Sequence, residues 1–297
     1  MNQGIIYAIL AYLSWGLLPL YWKLFSSMTA WETLSHRVVW SFLTIALIIS
    51  LRAGWKKARA AIQDRRQIIG ITACSIMIAI NWVIFIWAVN VGRVVETSLG
   101  YYINPLISVV VGVFLLKEKL HKGQWLAIFI AALGVTFMTF SYGQVPWISL
   151  TLALSFALYG FFKKSVPVEP MIGLLWETLI AFPVALLYLS YMQYKGTETF
   201  FQQSLPVLIA MAVAGIATLL PLLWFAEAAK RLPLSTVGFI QYLAPTTTLL
   251  LAIFVFHEPF TKTELFSFSL IWLSLVIYTF STWNSRIKPQ PKEPLSA

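Results

Sequence analysis

Charge is what this sequence has least of: 11% of its 297 residues are charged, against roughly a quarter in ordinary soluble domains. The acidic side is thinnest, with 11 carboxylates of which Asp64 is the one aspartate. A single cysteine, Cys74, excludes an internal disulfide. The three histidines, His36, His121 and His257, fall in separate segments and none belongs to an HExxH zinc motif. No GxxxxGK[ST] phosphate loop is present, which excludes a pump carrying its own nucleotide site. Long polar stretches are also missing. What fills the chain instead is apolar: 59% hydrophobic residues and a mean hydropathy of +0.80.

The apolar runs are nearly unbroken over helical lengths, whereas a transmembrane barrel would alternate in or out over about ten residues. The expected fold is an all-α integral membrane protein with ten transmembrane helices, at about 4–25, 29–51, 67–91, 94–116, 123–141, 147–163, 171–193, 205–229, 234–256 and 264–283. The first run lacks a basic segment before it and a small-residue cleavage site after it, so it reads as a retained span. The net charge of +10 does not point to nucleic acid, because the basic residues sit in short loops between spans. Most of the 21 lysines and arginines fall on one side of the ten-span layout, which predicts that both termini are cytoplasmic.

An internal repeat is visible. AYLSWG (11–16) echoes SFALYG (155–160), Trp31-Glu32-Thr33 returns as Trp176-Glu177-Thr178, and YYINP (101–105) matches the segment ending at Pro245. The expected halves are 1–143 and 144–283, followed by a cytoplasmic tail at 284–297. Five spans per half is an odd number, so the second half enters the membrane upside down. This inverted-topology plan is typical of secondary transporters, with the solute site near the midplane where interrupted helices of the two halves meet.

Candidate residues follow from polar groups placed where lipid should be. In span 4, Thr97, Tyr101, Asn104, Ser108 and Gly112 form one stripe at helical spacing. The stripe lines a solute pathway or forms a packing seam between helices. Pro105 and Pro245 occupy matching positions in the two halves. Each removes a helical donor, from the Tyr101 and Gln241 carbonyls respectively, and marks a break suited to gating. Gln241 shares one face of span 9 with Pro245 and Thr248, and Tyr242 lies one step round from that face; Trp87 and Asn90, a turn apart in span 3, line the cavity or belong to an interfacial belt. Span 2 opens with the densest charge cluster, Glu32, His36 and Arg37. Glu32 and His36 are i, i+4 neighbours able to share a proton, or Glu32 complements a helix N-terminus. Arg37 recognises solute or snorkels to headgroups. Glu32 has a repeat counterpart in Glu177, which favours a shared gating or structural role; His36 and Arg37 have none, which favours substrate recognition. No catalytic residue, metal ligand set or cofactor site is expected.

HRVVWS (36–41), NWVIFIWAVN (81–90), SLGYYINPL (98–106) and QYLAPT (241–246) together resemble the RarD branch of the EamA-type drug/metabolite transporters, over about 4–283. The resemblance implies a ten-helix inner-membrane carrier of two EamA repeats with both termini cytoplasmic. It defines no cargo, since the family label refers to a chloramphenicol-related phenotype, and it assigns no residue a binding role. The expected activity is secondary transport, with a small amphipathic or anionic metabolite or drug exported by alternating access. A proton-coupled importer using Glu32 and His36, and a membrane-embedded enzyme or lipid-handling protein, are the alternatives. The expected partners are the bilayer and a small-molecule solute. Oligomeric state is not readable from the chain.

Overall fold

The structure, a computed structural model, describes residues 3–91, 93–141, 143, 147–255, 257 and 262–287. Those residues form twelve α-helices and two short 3-10 turns, with no strand among them. In chain order the helices are α1 (Gln3–Trp22), α2 (Ala30–Leu51), α3 (Trp55–Ala61), α4 (Arg65–Asn90), α5 (Val94–Leu115), α6 (Lys122–Ser141), α7 (Trp147–Ser165), α8 (Pro170–Lys195), α9 (Leu205–Arg231), α10 (Leu234–Ile240), α11 (Leu243–Phe254) and α12 (Lys262–Ile287). The helix ends follow local chemistry. Thr29 caps α2 by accepting the Glu32 N–H (3.2 Å), Pro170 opens α8, and Gly196, at φ 67°, closes α8 in the left-handed region.

Nine helical segments among the described residues are long and apolar enough to cross a membrane. The segment expected as the sixth span is helical, α7, 19 residues long, but it is not one of the nine. Lys163 and Lys164 in its last turn lower its mean hydropathy. Leu47, Phe114, Phe140, Val184, Leu187 and Phe280 are exposed on the bundle surface, an arrangement that water would penalise and lipid tolerates.

The helices pack as neighbouring pairs: α1 on α9, α2 on α8 and α9, α7 on α4 and α5, α10 on α5, α11 on α1, and α6 with α12. Small residues set the closest approaches. A Cβ on Gly215 of α9 would lie 2.4 Å from the Trp40 carbonyl oxygen of α2, and one on Gly238 of α10 would lie 2.8 Å from Ser108 Cβ and 3.0 Å from the Pro105 carbonyl oxygen of α5. One end of the bundle, carrying α3 and the Lys- and Arg-rich ends of α4, α7 and α9, is called the basic end below.

The two proline helices differ. α5 runs unbroken through Pro105, so the Tyr101 carbonyl lacks its i+4 N–H donor as expected. In the other case the chain breaks earlier, at Gln241–Tyr242 between α10 and α11, and the Gln241 carbonyl accepts the Ala244 N–H at 3.0 Å. The turn therefore supplies the donor that Pro245 cannot. The repeat boundary at 144 and the tail from 288 lie outside the described residues.

Candidate functional site: Arg37 and an aromatic plug

Arg37 projects from α2 toward α1, α4 and α9. Its Nε donates to Thr218 Oγ1 of α9 at 3.4 Å. The guanidinium carbon lies 4.2 Å from the ring centroid of Trp22 and 5.8 Å from that of Trp82. Two indole faces and one hydroxyl stabilise the cation, each ring by about 0.5–2 kcal/mol. Among the described residues no carboxylate pairs with it. A half-buried, permanently charged guanidinium with terminal donors to spare is suited to an anionic ligand.

Toward the basic end lies a cluster of five rings: Tyr12 and Trp15 of α1, Phe156 and Tyr159 of α7, and Phe225 of α9. Trp15 meets Phe156 edge-on at 5.6 Å, Tyr12 meets Phe225 at 6.3 Å, and Tyr159 stacks on Phe225 at 5.7 Å with the rings 11° apart. Tyr12 and Tyr159 are 1% and 0% exposed. The two sequence motifs 11–16 and 155–160 supply four of the five rings, so repeat-related residues converge on one plug. Each tyrosine is also wired outward. Tyr12 Oη donates to Gln241 Oε1 (3.5 Å) at the α10–α11 break, and Tyr159 Oη donates to Glu177 Oε2 (3.1 Å).

Glu177 is held on its other oxygen by Lys163 Nζ at 2.6 Å, and both side chains of this ion pair are 5% exposed. Such a pair is retained in a membrane interior because either partner alone would be an uncompensated charge. Its repeat counterpart Glu32 does a different job. Glu32 Oε1 accepts the backbone N–H groups of Thr199 (2.8 Å) and Phe200 (2.9 Å), and Oε2 accepts the Thr199 hydroxyl (2.7 Å). This ties α2 to the α8–α9 connection at the end opposite the basic one. At the basic end Glu118 acts comparably, accepting from the N–H groups of Leu234 (2.5 Å) and Ser235 (2.9 Å) at the start of α10.

The other expected residues divide. Asn104 and Gln241 are buried at α5 and at the α10–α11 break, Asn104 Oδ1 lying 3.4 Å from the Ser108 hydroxyl. Tyr242 is fully buried among Leu99, Ile103 and Ile271, in a core cluster apart from Arg37. Trp87 packs on Trp147 at 5.7 Å, and Arg93 lies 5.7 Å from the same Trp147 ring. The Asn90 side chain lies outside the described residues. His36 stacks on Phe200 at 4.1 Å with Nε2 buried and without a hydrogen-bond partner among the described residues. One ligand atom each from Glu32, His36 and Glu198 lies within 4.8 Å of the others, a set able to receive a cation and not anticipated from spacing. Sequence reasoning also missed Lys163, Thr218 and Phe225, which are ordinary residues of apolar helices until their neighbours are known.

Comparison with known proteins assigns the class. The sequence pattern described as the EamA-like transporter family matches residues 2–140 and 145–280. The uncharacterized transporter YojE of Bacillus subtilis is 45% identical over 287 residues, 94% of each chain. Protein RarD of Escherichia coli K12 is 40% identical over 277 residues, covering 93% of this chain and 94% of that one. A crystal structure of a protein 15% identical in sequence shares the fold, with a TM-score of 0.68 over 93% of this chain and 97% of its own. The chain therefore belongs to the EamA-like transporter family. Within that family it stands on the RarD branch, beside the Escherichia coli protein and the RarD of Streptomyces exfoliatus, also 40% identical.

Proposed function

We propose that this membrane transporter is a secondary carrier that exports a small amphipathic or anionic solute by alternating access, without catalysis. The observation that carries this reading is Arg37: a cation within a spanning helix, flanked by Trp22 and Trp82 and lacking a carboxylate partner among the described residues. The two halves, 1–143 and 144–283, form five-span repeats of opposite topology, with α7 as the tenth span; its lysines are accommodated by Glu177 and by the Ala229 and Leu232 carbonyls. The basic end faces the cytoplasm of the inner membrane, following the distribution of Lys and Arg.

In this mechanism the solute anion docks on the Arg37 fork while the plug closes the route to the basic end. Rearrangement of α1 against α7 parts Tyr12 and Trp15 from Phe156 and Tyr159. The Gln241 break and the Lys163–Glu177 pair absorb the movement through the two tyrosine hydroxyls. Import coupled to Glu32 and His36 has less support, because three donors already engage the Glu32 carboxylate.

The test is counterflow in proteoliposomes with a pool of labelled small organic anions, for wild type, Arg37→Lys and Arg37→Ala at matched protein levels. A carrier returns intact solute, Arg37→Ala loses most flux, and Arg37→Lys loses affinity because an ammonium lacks the planar fork. Wild-type affinity and rate in Arg37→Lys would reduce Arg37 to an interfacial anchor. A chemically altered product would replace the carrier by an enzyme.

A further inference from the structure

One side of Trp82 faces Arg37; the residue also walls a cavity of about 330 Å³ lined by α2, α4, α7, α8 and α9. Along α8 this cavity follows a single helical stripe from Leu174 and Glu177 through Ala181 to Val184 and Tyr188. Fourteen residues separate its ends, so it is a slot about 21 Å long. A dry cavity of about 150 Å³ holds one benzene, so this volume accommodates a chain or a fused ring system.

The walls are apolar in effect as well as in composition. The hydroxyls of Ser35, Ser75 and Thr178 donate back to carbonyls of their own helices, Trp31 (2.9 Å), Ile71 (2.9 Å) and Leu174 (2.8 Å). Both Glu177 oxygens at the deep end are engaged by Lys163 and Tyr159. Val83, Ile180 and Val184, which line the slot, are 48%, 48% and 70% exposed, so it opens between α4 and α8. Leu34 and Val38 of α2 line it, while Arg37 leaves α2 from the adjacent face.

We infer that the slot is the apolar half of the solute site, so that the carrier takes amphipathic anions: one carboxylate or similar head on Arg37 and a linear or flat apolar body along α8. This rests on the reading of Arg37 as the anion contact. Hydrophilic anions of the same charge fill only the Arg37 end and lose the burial that the slot offers, about 0.8 kcal/mol for each methylene withdrawn from water.

The experiment places a reporter in the slot. In the full chain with Cys74→Ser, Ala181→Cys is alkylated with N-ethylmaleimide in reconstituted membranes, with acetate, decanoate or decanol present. Decanoate at about ten times its half-protecting concentration is expected to slow alkylation about ten-fold; acetate and decanol do so far less, and adding Arg37→Gln abolishes the difference between decanoate and decanol. Equal protection by decanoate and decanol, unchanged by Arg37→Gln, would make the slot a lipid-chain site and overturn the proposal. Absence of protection by every probe would overturn it as well. Decanoate counterflow on the same vesicles separates the two readings. Protection without flux leaves the slot standing and removes the carrier, whereas flux of an anion with no protection at position 181 leaves the carrier and removes the slot.

Discussion

Lys163→Met is the sharpest perturbation the structure offers. Lys163 Nζ lies 2.6 Å from Glu177 Oε1, with both side chains 5% exposed, so the substitution leaves a buried carboxylate whose remaining partner is the Tyr159 hydroxyl. Removing one partner of a buried pair costs about 3–5 kcal/mol. At roughly 2–4 °C per kcal/mol, the melting temperature should fall by about 6 °C or more. Glu177→Gln should cost less, and the reason is geometric. Lys163 is two residues from the end of α7, and its long stem can carry the ammonium to the basic surface; Glu177 sits seven residues into α8, about 10 Å from its start, on a short side chain. The double variant, with no charge left in the site, should recover most of the loss. Thermal unfolding of detergent-purified wild type, the two single variants and the double variant, followed by counterflow, measures both stability and gating. Single variants within about 1 kcal/mol of wild type, or a double variant whose loss is the sum of the two, would refute the coupling argued here.

Gly238→Ala sets a methyl group 2.8 Å from Ser108 Cβ and 3.0 Å from the Pro105 carbonyl oxygen, so it should destabilise by about 1–3 kcal/mol and separate α10 from α5; thermal unfolding and flux check this, and an unchanged melting temperature would mean that the contact is loose. Pro105→Ala restores the donor that the Tyr101 carbonyl lacks and should slow transport more than Pro245→Ala, because the Gln241 carbonyl is already bonded to Ala244; equal rates in both variants would remove Pro105 from the gating mechanism. Cysteines at Gly143 and Gly196 should react with impermeant reagents from outside cells, while those at Trp55 and Asp64 stay protected; like labelling of the two sets would reverse or break the proposed orientation.

Helix type and the lipid-facing character of the bundle were legible in the chain because both depend on local quantities, a run of apolar residues and a 3.6-residue period. The family was legible for a related reason, since short motifs such as HRVVWS are contiguous. So was the repeat of 11–16 in 155–160, although that text says nothing of where the copies meet. Only the tertiary structure brought Tyr12 and Trp15 together with Phe156 and Tyr159, set Lys163 against Glu177 across two helices, and gave Glu32 and Glu118 backbone partners more than 100 residues away. It also set apart candidates taken from different spans: Tyr242 lies in a core cluster, Trp87 packs on Trp147, and Arg37 sits among Trp22, Trp82 and Thr218. The physical reason is that a side chain's period fixes the face it occupies, whereas its chemistry depends on which helix covers that face. In an apolar chain nearly every face is able to pack, and the choice among them belongs to the assembled bundle.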